Sequence, residues 1–301
     1  MALPSVAIII PTRNRPELLK RCLARLISYV SVHSECSIIV SDDGCAQKTK
    51  ELMAEDMGIV NVIQGPQHGP SANRNCGAAH SKGELIVFID DDCIPDTNLI
   101  AAYQDASQRN LDVGVFEGRI SAHGELSSFA DIAPVNETGG NLWSCNFAIR
   151  RNLFLKIDGF DERYPFAAME DIDLHRRVKK YSQVLFVPEA RVWHSFEQRI
   201  GWTVVKHHAL SLLLYLHIHG LKATGKGPVF FIKSAGRMLI YGGIRQVKRR
   251  AAKHPRQQVF LVLVSLQLAI IAFLWRFHGY LAKKAFPPCC SGCRSIHLHL
   301  S

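Results

Sequence analysis

The sequence predicts an α/β fold, a mostly parallel sheet flanked by helices, followed by a basic, apolar helical region. Three observations predict it. Between residues 6 and 89, short apolar β-branched runs alternate with stretches of helical periodicity, the pattern of parallel strands joined by right-handed crossovers. Polar clusters follow three of those runs directly, and ligands on such sheets bind beyond the carboxyl ends of the strands. The charge is also divided between two parts of the chain. Residues 1–197 hold all 26 acidic residues and 20 Lys and Arg, a net −6, whereas residues 198–301 hold 16 Lys and Arg and no acid, a net +16. Two physically different objects share one chain, and the expected boundary divides 1–198 from 199–301.

Val6 to Ile10 reads as the first strand. The loop "PTRNR" then leads into a helix in which Leu18, Leu19, Cys22, Leu23, Leu26 and Ile27 recur at helical spacing. Ser37 to Ser41 is a second strand ending in Asp42-Asp43-Gly44, and a helix is expected from about Lys48 to Met57. "IVNVI" at 59–63 is a third strand. A Gly/Pro loop enters a helix at about Ser71, and Leu85 to Ile89 is a fourth strand. Beyond Asp96 come a helix over Asn98 to Gln108 and a strand over 113–121. A turn, strand and helix lie in "GGNLWSCNFAIRRNLF", an acidic cluster opens a helix at "MEDIDL", and short strands in "VLFVPEARVWHSF" are followed by His194.

With 301 residues, 48% of them hydrophobic and 21% charged, the chain is globular rather than disordered. "MALPSVAIII" has no basic n-region and a short apolar run, so no signal peptide is expected and the acidic part is expected in the cytosol. The nine cysteines form no disulfide framework: the six scattered ones read as reduced thiols, and Cys289, Cys290 and Cys293 as reduced surface thiols, with acylation near a membrane or zinc binding as the alternatives. In the basic part, residues 202–218, 229–244 and 259–275 are apolar, and the last, at 17 residues, is at the short limit for a membrane span. Lys and Arg flank it on both sides, which fits an interfacial or re-entrant attachment to anionic lipid better than a simple crossing. A span and a soluble helical subdomain remain alternatives.

"ELIVFIDDDCIPD" drives an apolar strand into Asp90-Asp91-Asp92. Unpaired burial of such carboxylates would cost several kcal/mol or force protonation. Their partner is therefore a divalent metal, a cluster of Arg or Lys, or solvent at a loop tip.

Taken in order, "IPTRNR", "VSDDG", "ANRNCGAAHSKGELIVFIDDD", "GGNLWSCNFAIRR", "GFDERY" with "EDIDLHRRV", and "VWH" resemble the family-2 glycosyltransferases, inverting enzymes of the Rossmann-like GT-A fold. The resemblance spans Val6 to Phe196. It implies transfer of a sugar from a nucleotide-sugar donor to a hydroxyl of a glycan or lipid-linked acceptor, with Mn²⁺ or Mg²⁺ as cofactor. By the same resemblance Asp92 binds the metal, Asp90 lies near the ribose or the metal, and Asp91 belongs to the donor site. Pro11, Thr12, Arg13 and Asn14 form a donor loop, and Arg74 faces the donor. One of Asp42 and Asp43, with Asp42 favoured, reads the nucleobase. Asp171 is implied as the general base with Glu170 beside it. His194 is either near the metal and diphosphate or a packed residue. Gly140 and Asn141 shape the acceptor pocket, where Trp143 is a sugar platform or a core residue. Cys45 stands where the family usually carries a hydroxyl residue after "DDG".

The rival reading is an inactive scaffold that binds a membrane or nucleic acid through the basic tail, although a nucleic-acid partner is not expected beside Asp92 and Asp171. A P-loop phosphotransferase is excluded, since GxxxxGK[ST] does not occur. "IPTRNRPE" likewise lacks the Gly-rich loop of a nucleotidyltransferase.

Overall fold

The computed structural model describes residues 3–54, 58–125, 131–198 and 202–220, and the chain divides into two units between Ile200 and Gly201. In the first unit β1 (Val6–Thr12), α1 (Pro16–Val30), β2 (Cys36–Asp42), α2 (Ala46–Leu52), β3 (Val60–Gln64), α3 (Pro70–Ala79) and β4 (Leu85–Ile89) follow in turn. The strands pair in parallel in the order β3-β2-β1-β4. Next come β5 (Cys93–Pro95), α4 (Leu99–Arg109), β6 (Val115–His123), β7 (Asp131–Ile132), β8 (Asn146–Arg150), α5 (Arg151–Lys156), α6 (Glu170–Val178), β9 (Val184–Ser195) and β10 (Glu197–Gln198). The sheet continues as β4-β8-β6-β9-β5, with β8 antiparallel to both its neighbours and β9 parallel to β6. β7 and β10 form a separate antiparallel pair.

Both faces of the sheet are covered, so its central strands are apolar at every position rather than at alternate ones. Val6, Ile8 and Ile10 point into one layer with Leu19, Cys22, Leu23 and Leu26 of α1 and Tyr103 of α4. Ala7 and Ile9 point into the other, with Phe88, Phe147, Phe154, Phe160, Leu174 and Val178. Phe88 is the hub of that second layer, stacked on Phe147 at 5.0 Å and meeting Phe160 edge-on at 5.3 Å. Such geometries contribute roughly 0.5–1.5 kcal/mol per pair beyond burial.

The α/β architecture expected from the sequence is present, with three local corrections. Residues 184–195 form one 12-residue strand, β9, instead of several short ones. Its pairing with β6 jumps from Gly118↔Val187 to Arg119↔Arg191, so Pro188, Glu189 and Ala190 bulge out, where a proline without an N–H is tolerated. His194 therefore lies inside that strand, not after it. The three-residue β5 has no periodicity of its own and exists because β9 offers it an edge. Helix α2 begins at Ala46, two residues early, directly behind the Asp42–Gly44 corner.

In the second unit α7 (Trp202–His219) runs over the apolar stretch 202–218. No helix among the described residues is long and apolar enough to cross a membrane. The apolar stretches 229–244 and 259–275 lie outside the described residues.

Gly77 marks a close approach of α3 to the sheet, for a Cβ there would stand 2.5 Å from Ile9 Cγ2. Gly77→Ala is expected to cost about 1–3 kcal/mol by overpacking. Urea unfolding monitored by fluorescence checks this, and an unchanged midpoint would mean that α3 shifts freely.

Candidate active site

The strand order explains the site. With β1 beside β4, the loop after β1 reaches the aspartates leaving β4. Thr12 Oγ1 donates to Asp91 Oδ2 at 2.6 Å. Arg15, just ahead of α1, donates from Nε to the same oxygen at 3.1 Å, and its Nη2 lies 2.5 Å from Asp91 Oδ1. Its Nη1 reaches Asp92 Oδ2 at 3.1 Å and Glu197 Oε1 at 3.4 Å. Asp91 is fully buried. Burial raises its pKa to about 7, against the lowering effects of Arg15 and Thr12.

The β5–β9 pairing sets Cys93 directly opposite His194. His194 Nδ1 lies 2.8 Å from the Ser195 carbonyl oxygen, which assigns the proton on that nitrogen and turns Nε2 toward Asp92 Oδ1 at 3.2 Å. Asp92 Oδ1 is buried and makes no hydrogen bond of good geometry. Burial opposes the charge of both groups, yet their mutual attraction outweighs it, raising His194 to about 9 and holding Asp92 below the usual carboxylate range. One ligand atom from each of Asp92, Cys93 and His194 lies within 4.8 Å of the others, and all three residues are buried. A carboxylate oxygen without a good donor and an imidazole nitrogen oriented by a backbone carbonyl suit a divalent cation.

Asp90 faces the other way. Arg74, buried on α3, donates to Asp90 Oδ1 at 2.7 Å and meets Glu170 Oε1 at 3.5 Å. Its guanidinium lies over the Phe160 ring, 5.5 Å from the centroid. Glu170 and Asp171 open α6 immediately after Met169, whose φ of 71° turns the chain sharply inward. Glu170 Oε2 is buried without a hydrogen bond. Burial, then the charge of Asp171, pushes Glu170 up to about 8, with Arg74 opposing. Burial raises Asp171 too, against Arg74 and the Ile172 N–H that donates to it at 2.9 Å. Asp173 serves structure: Arg177 Nε donates to it at 2.7 Å and clamps the Ile157 and Gly159 carbonyls.

At the end of β2, both oxygens of Asp42 are engaged in its own corner, accepting from Gly44 N and Thr49 Oγ1 at 2.7 Å each. Asp43 accepts from Gln67 N at 2.8 Å and Gly69 N at 3.0 Å, holding the loop that leads to α3. Pro11 and Thr12 are buried while Arg13 and Asn14 are exposed, and Asn14 leans over Gly44 with φ 54°. Gly140 N donates to buried Glu117 Oε1 at 2.5 Å. Asn141 is exposed, and half-buried Trp143 packs on the core with its indole N–H unpaired.

Arg15, Cys93, Glu117 and Glu197 were not singled out by the sequence. For Arg15 a signal existed, since it continues the "TRN" loop by one residue. Cys93 read as a reduced thiol, and nothing local marks Glu117 or Glu197.

This is the GT-A glycosyltransferase fold. A crystal structure of GalNAc-T7 with UDP, GalNAc and Mn²⁺ superposes with a TM-score of 0.54 at 16% identity, covering 71% of this chain and 48% of that one. The chain belongs to glycosyl transferase family 2, whose profile matches residues 7–157. It is 26% identical over 232 residues to the probable glycosyltransferase YdaM of Bacillus subtilis, covering 66% of this chain and 54% of the relative. It is 33% identical over 95 residues to the GalNAc(5)-diNAcBac-PP-undecaprenol beta-1,3-glucosyltransferase of Campylobacter jejuni, covering 30% of each. The chain thus spans about half, or less, of the length of these relatives.

Removing one partner of a buried ion pair costs about 3–5 kcal/mol. Arg74→Met is expected to destabilise the fold by that amount at pH 9 and by less at pH 6. The sign follows from Glu170: its folded pKa of about 8 rises further without the guanidinium, so at pH 6 it is neutral and its pair with Arg74 contributes little. Urea midpoints at both pH values check this, and equal losses would sink the account.

Proposed function

We propose that the chain transfers a sugar from a nucleotide-sugar donor to a hydroxyl of a glycan or lipid-linked acceptor, with inversion at the anomeric carbon. The observation that carries this reading is the pair of carboxylate groups at the sheet edge, half-buried Asp90 with buried Asp91 and Asp92, and buried Glu170 with Asp171, joined by Arg74. One group suits the donor and the other the acceptor hydroxyl.

On the donor side, Asp92 and His194 would hold Mn²⁺ or Mg²⁺, with Asp90 nearby. The ion supplies Lewis-acid neutralisation of the departing diphosphate. Pro11 to Asn14 line the donor loop. One of Asp42 and Asp43 meets the base, and Arg74 places a fixed cation beside the phosphates. The internal bonds of Asp42 and Asp43 mean that a base contact would share an oxygen already in use.

On the acceptor side, Asp171 takes the hydroxyl proton as that oxygen bonds to the anomeric carbon. The carbon–oxygen bond to the diphosphate breaks, and the nucleoside diphosphate leaves with the electron pair. Burial, with a smaller push from the charge of Asp90, raises the Asp171 pKa, as a base operating near neutral pH requires. Gly140, Asn141 and Trp143 border the acceptor. The acid-free, +16 portion suits peripheral attachment to the anionic cytoplasmic face of a membrane, where a lipid-linked acceptor would be met.

The test is donor binding and slow hydrolysis across UDP-, dTDP- and GDP-sugars with Mn²⁺. One donor class should bind only with metal, and Asp92→Ala should abolish that binding. Asp171→Asn should leave donor binding intact while lowering turnover by roughly 10²–10⁴-fold. Turnover should fall as pH drops through the titration of the Glu170–Asp171 pair, because the base is then protonated. Metal-independent donor binding, or full activity of the Asp171 variant, would overturn the assignments. Binding to anionic but not neutral vesicles, weakening with salt, is expected of the intact chain.

A further inference from the structure

We propose that Cys93 is a third ligand in this site, making it a mixed oxygen, nitrogen and sulfur centre that selects thiophilic divalent cations of the zinc class over Mg²⁺. The proposal rests on the reading of Asp92 and His194 as ligands and goes beyond it.

The argument begins with register. Cys93 and His194 are cross-strand partners in the β5–β9 pairing, and such partners share a face with Cβ atoms roughly 4.5–5.5 Å apart. Asp92 precedes Cys93 by one residue and brings its Oδ1 to 3.2 Å from His194 Nε2. Thiol, imidazole and carboxylate therefore converge within 4.8 Å. Asp92 is 6% exposed, Cys93 1% and His194 2%, so the cluster is screened from competing water.

The bonding around the cluster leaves ligand atoms available. The Cys93 thiol makes a long contact to the Cys145 carbonyl at 3.7 Å and also meets the Cys145 side chain, weak sulfur contacts that a metal bond would replace. His194 Nδ1 is committed to the Ser195 carbonyl, which orients Nε2 as a ligand. Asp92 Oδ1 is buried without a hydrogen bond of good geometry.

Ligand chemistry then decides the ion. Mg²⁺ takes oxygen ligands and keeps several waters, whereas thiolate and imidazole with one carboxylate suit a tetrahedral zinc-like ion with one position open. Coordination would release two protons to solvent: the Cys93 S–H would break with the sulfur keeping the electron pair for the metal, and His194, protonated up to about pH 9 beside Asp92, would lose its Nε2 proton so that this lone pair can bind. Mn²⁺, tolerant of nitrogen and oxygen ligands, would still bind through Asp92 and His194. Zinc-class ions would displace it.

The test uses the full chain with Cys289, Cys290 and Cys293 each replaced by Ser, to remove the other cysteine cluster. One equivalent of Co²⁺ should give thiolate-to-metal charge-transfer absorption. That band should vanish in Cys93→Ser and persist in Cys145→Ser. Zn²⁺ should displace Mn²⁺, followed by electron paramagnetic resonance, and Cys93→Ser should weaken Zn²⁺ by roughly ten- to a hundredfold or more while sparing Mn²⁺. X-ray absorption at the zinc edge needs no variant at position 93 and should count one sulfur neighbour. Mn²⁺ bound with no sulfur in either spectrum overturns the role of Cys93 and leaves the metal reading standing. Neither ion bound overturns both.

Discussion

The structure depends on charge balance at one sheet edge. Asp91, Asp92, Glu170 and Asp171 are buried there, and Asp90 leaves the same strand end between them. Carboxylates this close cannot all ionise without compensation. Three cationic groups respond, each from a different element: Arg15 ahead of α1, Arg74 on α3 and His194 on β9. The result is partition rather than neutralisation. Arg15 and His194 take Asp91 and Asp92, while Arg74 takes Asp90 and Glu170. Successive residues of one strand end thus enter different electrostatic environments, which is how neighbouring groups of one chemical type acquire separate roles.

That partition follows from topology. Parallel order β2-β1-β4 places the ends of these strands side by side, so Thr12 can donate to Asp91 and Asp43 N to Thr12 O at 2.9 Å. Asn73 ties α3 to the same ends, donating to the carbonyls of Thr12 and Ser41, and the next residue, Arg74, reaches Asp90. The inserted antiparallel β8 then widens the sheet so that β9 and β5 flank the aspartates from the far side. Glu170 and Asp171 arrive from α6, whose pitch is fixed by Asp173, Arg177 and the carbonyls before it.

Much of this was legible in the sequence, and the divide has a physical basis. Strands buried on both faces announce themselves as unbroken apolar runs, so Val6–Ile10 and Leu85–Ile89 needed no partner to be recognised. Residues at strand ends and a helix start, such as Thr12, Asp42, Asp90–Asp92 and Asp171, inherit their position from those elements. What was not legible depends on long-range pairing. β5 has only three residues and its identity comes from β9. The bulge at 188–190 joins what read as separate strands, and it carries His194 into the sheet. Arg15 and Glu197 meet across 182 residues of chain, and Cys93 meets His194 only through register.

Arg74 is the point where the two halves of the site are joined. Its charge is shared between Asp90, on the side where a donor would lie, and Glu170, on the side where an acceptor would lie. The contact to Asp90 is short and well formed, at 2.7 Å, while that to Glu170 is long, at 3.5 Å. Burial and the charge of Asp171, only partly offset by that long contact, push the Glu170 carboxyl up to about 8. Any anion that competed for the guanidinium would weaken its hold on both carboxylates and favour protonation of Glu170 further. Conversely, an added cation near Asp90 would release Arg74 toward Glu170 and favour its ionised form. The charge states of Asp90 and Glu170 are thus coupled through a single buried side chain packed on Phe160.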